Sequence, residues 1–134
     1  MNMNTSKQAI STELAPAAVG AYSQAVRAGG FLFLSGQVAI DPETGQFMAD
    51  ADVEAQARRV MRNLQAVLEA AGCSFDSVVK ATIFLGDIRD FQKVNTIYGE
   101  YFQEGVQPAR AAVQAGKLPL GAKVEIEMIA LAAD

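Results

Sequence analysis

Apolar and polar positions follow two periods along this chain, and each predicts a kind of element. Spacings of three and four over Val53, Ala57, Val60, Met61, Leu64, Val67, Leu68 and Ala71 predict a long amphipathic helix. Asp50 or Asp52 can cap its start, and Gly72 stands where a residue just past a helix end belongs. Arg58, Arg59, Arg62 and Glu69 fall largely on its other side, as a solvated face requires. A second helix is predicted after a capping Asp90, with Phe91, Val94, Tyr98, Tyr101 and Phe102 on one face. Gly105 and Pro108 close it off. Strand patterns cover residues 8–11, 22–28, 31–34, 78–85, 110–115 and 123–132. Turn residues at Gly29-Gly30, at Asp41-Pro42-Glu43-Thr44-Gly45 and at Pro119-Leu120-Gly121 separate elements. The order is β-β-β-α-β-α-β-β, an α+β class, read as one domain over residues 1–134.

Two helices cannot cover both faces of six strands, and the last strand makes this acute. Val124, Ile126, Met128 and Ala130 form one face, and Glu125, Glu127, Ile129 and Leu131 the other. Both are substantially apolar, so both call for burial. The helices can cover one. An oligomer in which sheets meet between subunits is the simplest cover for the second.

Composition narrows the chemistry. The 134 residues include one cysteine and no histidine or tryptophan. Cys73 can form no internal disulfide and reads as a small buried apolar residue; Cys/His metal sites and imidazole triads are excluded. The net charge is −4 and the bases are scattered, a poor footprint for nucleic acid. Met1 to Lys7 is polar, no apolar run could span a bilayer, and with an unpaired thiol a cytoplasmic setting is expected. No phosphate-binding loop is present, so no nucleotide cofactor is implied.

Acid–base work therefore falls to carboxylates and a few other groups. Glu125 and Glu127 lie about 7 Å apart on one strand face. The spacing fits an ordinary polar edge, but a carboxyl in so apolar a strand should have a raised pKa. Arg110, among Ala109, Ala111, Ala112 and Val113, could grip a substrate carboxylate or form an intersubunit salt bridge. Tyr22 could donate to a ligand or pack at a strand end. Ser35-Gly36 ends an apolar strand, where Gly36 could admit a ligand or mark a bulge. Asn95 lies mid-helix, facing a cleft or water.

Pro108-Ala109-Arg110-Ala111, Gly116-Lys117-Leu118-Pro119 and Val124-Glu125-Ile126-Glu127 together resemble the C-terminal signature of the Rid (YjgF) family. The segment from Ala15 to Ala25, Leu34-Ser35-Gly36-Gln37, and Val94-Asn95 with Tyr98 extend the likeness from Ser6 to Ala132, most similar to the RidA branch. The resemblance implies a chorismate-mutase-like fold: a six-stranded mixed sheet packed on two helices, in a homotrimer with clefts between subunits. It implies a cofactor-free hydrolase acting on C=N bonds, an enamine/imine deaminase. Its substrates would be 2-iminobutanoate and 2-iminopropanoate, supplied by pyridoxal-phosphate-dependent dehydratases. On this likeness Arg110 would bind the substrate carboxylate and Glu125 would position the water. Tyr22, Ser35, Gly36, Asn95 and the backbone N–H of Ala112 would line the cleft. Ala21, Ala111 and Ala112 depart from residues common in the family. A non-catalytic ligand-binding regulatory trimer, or an endoribonuclease acting as a translation inhibitor, are the alternatives; the acidic balance argues against the latter.

Overall fold

The computed structural model describes residues 6–133; most of the polar start, residues 1–5, lies outside them. Strands β1 (Gln8–Ile10), β2 (Ala25–Ala28) and β3 (Phe31–Gln37) precede helix α1 (Val53–Ala70). Then come β4 (Val78–Leu85), α2 (Phe91–Gly99), β5 (Ala109–Gln114) and β6 (Val124–Leu131). The six strands form one mixed sheet in the order β1-β2-β3-β6-β4-β5. Only β4 and β5 run parallel, and their connection contains α2, as a parallel crossover requires. This is the element order that the two periodicities predict.

Helix α1 forms where its apolar stripe and its caps agree. The Asp52 carboxylate accepts from the Ala55 N–H at 2.8 Å, so Asp52 and not Asp50 caps the helix. Beyond Ala71 the chain turns through Gly72 at φ 74°, a conformation that costs glycine little. Val60, Leu64, Val67 and Leu68 are fully buried and share one core with Leu32, Ile83, Ile126 and Ala130 of the sheet. Each such side chain contributes roughly 1.5–3 kcal/mol by leaving water. Cys73 is buried in that core, as expected of it.

Several boundaries differ from the sequence expectation. Strand β2 begins at Ala25, and Tyr22 lies in the loop before it. Strand β3 continues to Gln37, so Ser35-Gly36 lies inside it, at an irregularity in its pairing with β6. Asp90 makes no side-chain cap; it ends a short 3-10 turn whose own cap is Asp87, which accepts from the Arg89 N–H. Helix α2 stops at Gly99, leaving Tyr101 and Phe102 beyond its end, although Phe102 still packs on Tyr98.

Three buried amides, invisible to a hydrophobic pattern, tie loops to this frame. Gln24 accepts from the Thr12 N–H and donates to carbonyls of Thr12, Ala15 and Pro16. Gln56 donates to Met48 and Ala51 and accepts from the Lys123 N–H. Asn63 donates to Val38 and Ile40. Each supplies partners that loop backbone would otherwise lack once buried.

The sheet face turned away from the helices is open in the single chain. Phe31, Phe33 and Leu131 are 41%, 44% and 51% exposed, against 0% for Leu32 and Ala130 on the covered face.

Candidate functional site

Glu125 sits on the face of β6 turned away from the helices, opposite Phe84 of β4. Its carboxyl group lies directly over Gly36: a Cβ built there would stand 2.6 Å from Glu125 Oε2. The glycine is thus a close-approach position, its missing side chain providing the seat for the carboxylate. Burial, chiefly, raises the Glu125 pKa, and the charge of Glu127 on the same strand face adds to the rise. The Ser35 hydroxyl donates to the Ser23 carbonyl at 2.6 Å, fastening β3 to the loop that carries Tyr22. That hydroxyl is committed within the chain. Tyr22 is 52% exposed and borders a depression of about 480 Å³ that Thr12, Ala17 and Gln24 also line. Tyr22, Ser35, Gly36 and Glu125 therefore belong to one neighbourhood, linked through Ser23.

Arg110 belongs to another. It lies opposite Ala81 in the β4–β5 ladder, and Ala81 lies opposite Met128. Paired residues share a sheet face, so Arg110 is on the face of Ala81 and Met128, and Glu125 is on the reverse. Strand β4 also separates the two strands that carry them. One copy of the chain does not bring Arg110 and Glu125 together.

The surroundings of Arg110 are neutral. Its Nη1 donates to Asn95 Oδ1 at 2.6 Å. Its guanidinium carbon lies 5.3 Å from the Phe91 ring centroid and 5.1 Å from that of Tyr98, inside cation–π range. Phe91, Asn95 and Tyr98 occupy positions i, i+4 and i+7 of α2 and so share one helical face. Among the described residues no carboxylate pairs with Arg110; the ion pairs are Arg58–Glu100 and Arg89–Asp87. Ala112, two residues along the same face of β5, is half-buried against the core. Sequence reasoning placed Phe91 and Tyr98 on one helix face, with Tyr98 also in the family likeness, and gave neither a role at the site. Their spacing with Asn95, beside a cationic strand of small residues, was the available signal.

The family model described as endoribonuclease L-PSP matches residues 12–132. The chain belongs to this family. It is the Rid (YjgF) family whose motifs the sequence resembles. Among L-PSP/Rid relatives, the 2-iminobutanoate/2-iminopropanoate deaminase of Mus musculus is 50% identical over 93% of this chain and 91% of its own length. The Rid-family protein YyfA of Yersinia pestis superposes with a TM-score of 0.91 at 46% identity, covering 94% of this chain and 99% of that one. Escherichia coli TdcF, crystallised with bound serine, superposes at 0.87 with 40% identity, over 94% and 99% of the two chains.

Proposed function

We propose that this protein hydrolyses small 2-imino acids, 2-iminobutanoate and 2-iminopropanoate among them, to 2-keto acids and ammonia. The cleft is built from two copies of the chain, three clefts to a homotrimer. One copy supplies Arg110, with Asn95 and the backbone of Ala112; its neighbour supplies Glu125, Gly36, Ser35 and Tyr22. The observation that carries this reading is a guanidinium held by three neutral groups, with no anionic partner among the described residues. Such a cation is ready for a ligand carboxylate, the planar acceptor that arginine grips with two parallel bonds. The open, apolar sheet face that bears Glu125 supplies the surface on which a second copy can close. The names of the mammalian relatives and the serine bound by TdcF support the substrate class.

The chemistry asks little of the protein. Arg110 fixes the carboxylate and so sets the adjacent C=N carbon at a known place. Glu125 accepts a hydrogen bond from a water molecule and aims its oxygen at that carbon. As the C–O bond forms, Glu125 takes one proton from the water, the C=N π pair moves to nitrogen, and Glu125 passes that proton to it. The hydroxyl of the resulting carbinolamine then gives its proton through Glu125 to the amine, and the C–N bond breaks so that ammonia leaves as C=O forms. Acid–base help of about 10²–10⁴-fold, with a proximity contribution, suffices for an already electrophilic imine. A pyridoxal-phosphate-dependent dehydratase supplies the enamine from which the imine arises, and no cofactor is required here.

The test couples the protein to a threonine dehydratase and follows keto-acid release while semicarbazide traps residual imine. The wild-type protein should lower semicarbazone formation, and Arg110→Ala should abolish that effect. Unchanged imine turnover in a folded Arg110→Ala variant contradicts the reading.

A further inference from the structure

A cation that must bind an anion faces a conflict between being held still and being left free. A carboxylate partner would hold Arg110, but it would neutralise the charge and compete with substrate for the same N–H groups. Helix α2 answers with groups of another kind. Aromatic rings attract a guanidinium through their faces and occupy none of its in-plane donors. The Asn95 amide oxygen takes one bond at Nη1, and since guanidinium only donates, it is the oxygen that must face it. The edge formed by Nε and Nη2 has no partner among the described residues, and a bidentate carboxylate needs two such donors side by side.

We propose that Phe91, Tyr98 and Asn95 form an uncharged clamp that fixes the Arg110 guanidinium and leaves one edge open, making all three positioning residues for substrate-carboxylate binding. The proposal rests on the reading that Arg110 holds the substrate carboxylate. The clamp acts through Arg110, so its loss should weaken binding and leave the bond-making step alone. Its neutrality is as important as its shape: a negative charge placed in it would occupy the arginine.

The experiment measures KM and kcat for 2-iminobutanoate with Phe91→Leu, Phe91→Tyr and Asn95→Asp, beside Arg110→Ala, together with thermal melts. Phe91→Leu should raise KM about two- to fivefold, the size of an exposed cation–π contact, with kcat nearly unchanged. Phe91→Tyr, which restores a ring, should return KM towards wild type. Asn95→Asp should raise KM on the order of tenfold to a hundredfold without lowering the melting temperature, because the new ion pair competes with substrate. Folded Phe91→Leu and Asn95→Asp proteins with wild-type KM, or with losses confined to kcat, overturn the clamp. If Phe91→Leu fails to fold, the nearly isosteric Asn95→Asp decides on the same criteria. Loss of activity in Arg110→Ala alongside wild-type KM in both clamp variants removes the clamp only. Full activity in Arg110→Ala removes the underlying reading as well.

Discussion

The carboxylate of Glu125 rests against the backbone of Gly36, so close that any side chain at position 36 would meet it 2.6 Å from Oε2. The contact joins β3 to β6 at the irregular stretch of their pairing, and it fixes where the proposed water-positioning group can stand.

Gly36→Ala should therefore displace Glu125 while leaving the fold intact, since the displaced partner is the far end of a flexible side chain. Imine hydrolysis should fall on the order of a hundredfold or more if the carboxylate loses its place, as for loss of a general base. Circular dichroism and a melting curve should match wild type. Wild-type turnover in Gly36→Ala would mean that the seat does not matter.

Glu127 shapes the pH dependence. Its negative charge opposes ionisation of Glu125, on top of burial, which is the larger cause of the raised pKa. Glu125 must be ionised to take a proton from the attacking water, so activity should fall as pH drops through its pKa. Removing the neighbouring charge lowers that pKa. Glu127→Gln should thus shift the acid limb of kcat/KM to lower pH, measured in a full pH–rate profile. An unmoved limb, or one moved upward, would break the link between the two carboxylates and the reaction.

The contrast between what was legible in the sequence and what was not follows from range. Period 3.6 in α1 and period 2 in β6 report local geometry, so the element order could be read directly, and so could the fact that one face of the last strand would stay uncovered, but not which face. The caps Asp52 and Gly72 were equally local. Gln24, Asn63 and Gln56 were missed because their partners lie elsewhere in the chain; a buried amide looks like any surface amide until the loop it ties is seen. Glu125 and Arg110 were each identifiable as odd residues in apolar strands. Their opposite faces depend on how β5 and β6 register against β4, which no local pattern encodes.

Gln24 offers a stability test of one such long-range tie. It is 4% exposed, and its amide meets Thr12, Ala15 and Pro16. Gln24→Ala leaves those loop groups short of partners and should cost about 2–3 kcal/mol in denaturant unfolding. The loop it holds also borders Tyr22, so proteolysis within residues 12–18 should quicken. A loss below about 0.5 kcal/mol would show that the loop is held by something else.

Leu120 is the one non-glycine residue with positive φ among those described, at 60°, and it is 64% exposed. The left-handed conformation costs a branched side chain roughly 1–2 kcal/mol, and asparagine tolerates it better. Leu120→Asn should raise stability by about 1 kcal/mol, read from the midpoint of urea unfolding.

The central claim is that the guanidinium and the carboxyl group which cooperate in a cleft come from different copies of the chain. Mixing two inactive variants tests it most directly. Arg110→Ala and Glu125→Gln proteins, unfolded and refolded together in equal amounts, form assemblies in which some clefts pair an intact Arg110 with an intact Glu125. Imine hydrolysis should return to about a quarter of the wild-type rate, the share of clefts that random assembly makes whole in a cyclic oligomer. A mixture as inactive as its two components, with mixed assemblies demonstrated by mass spectrometry, would contradict the account.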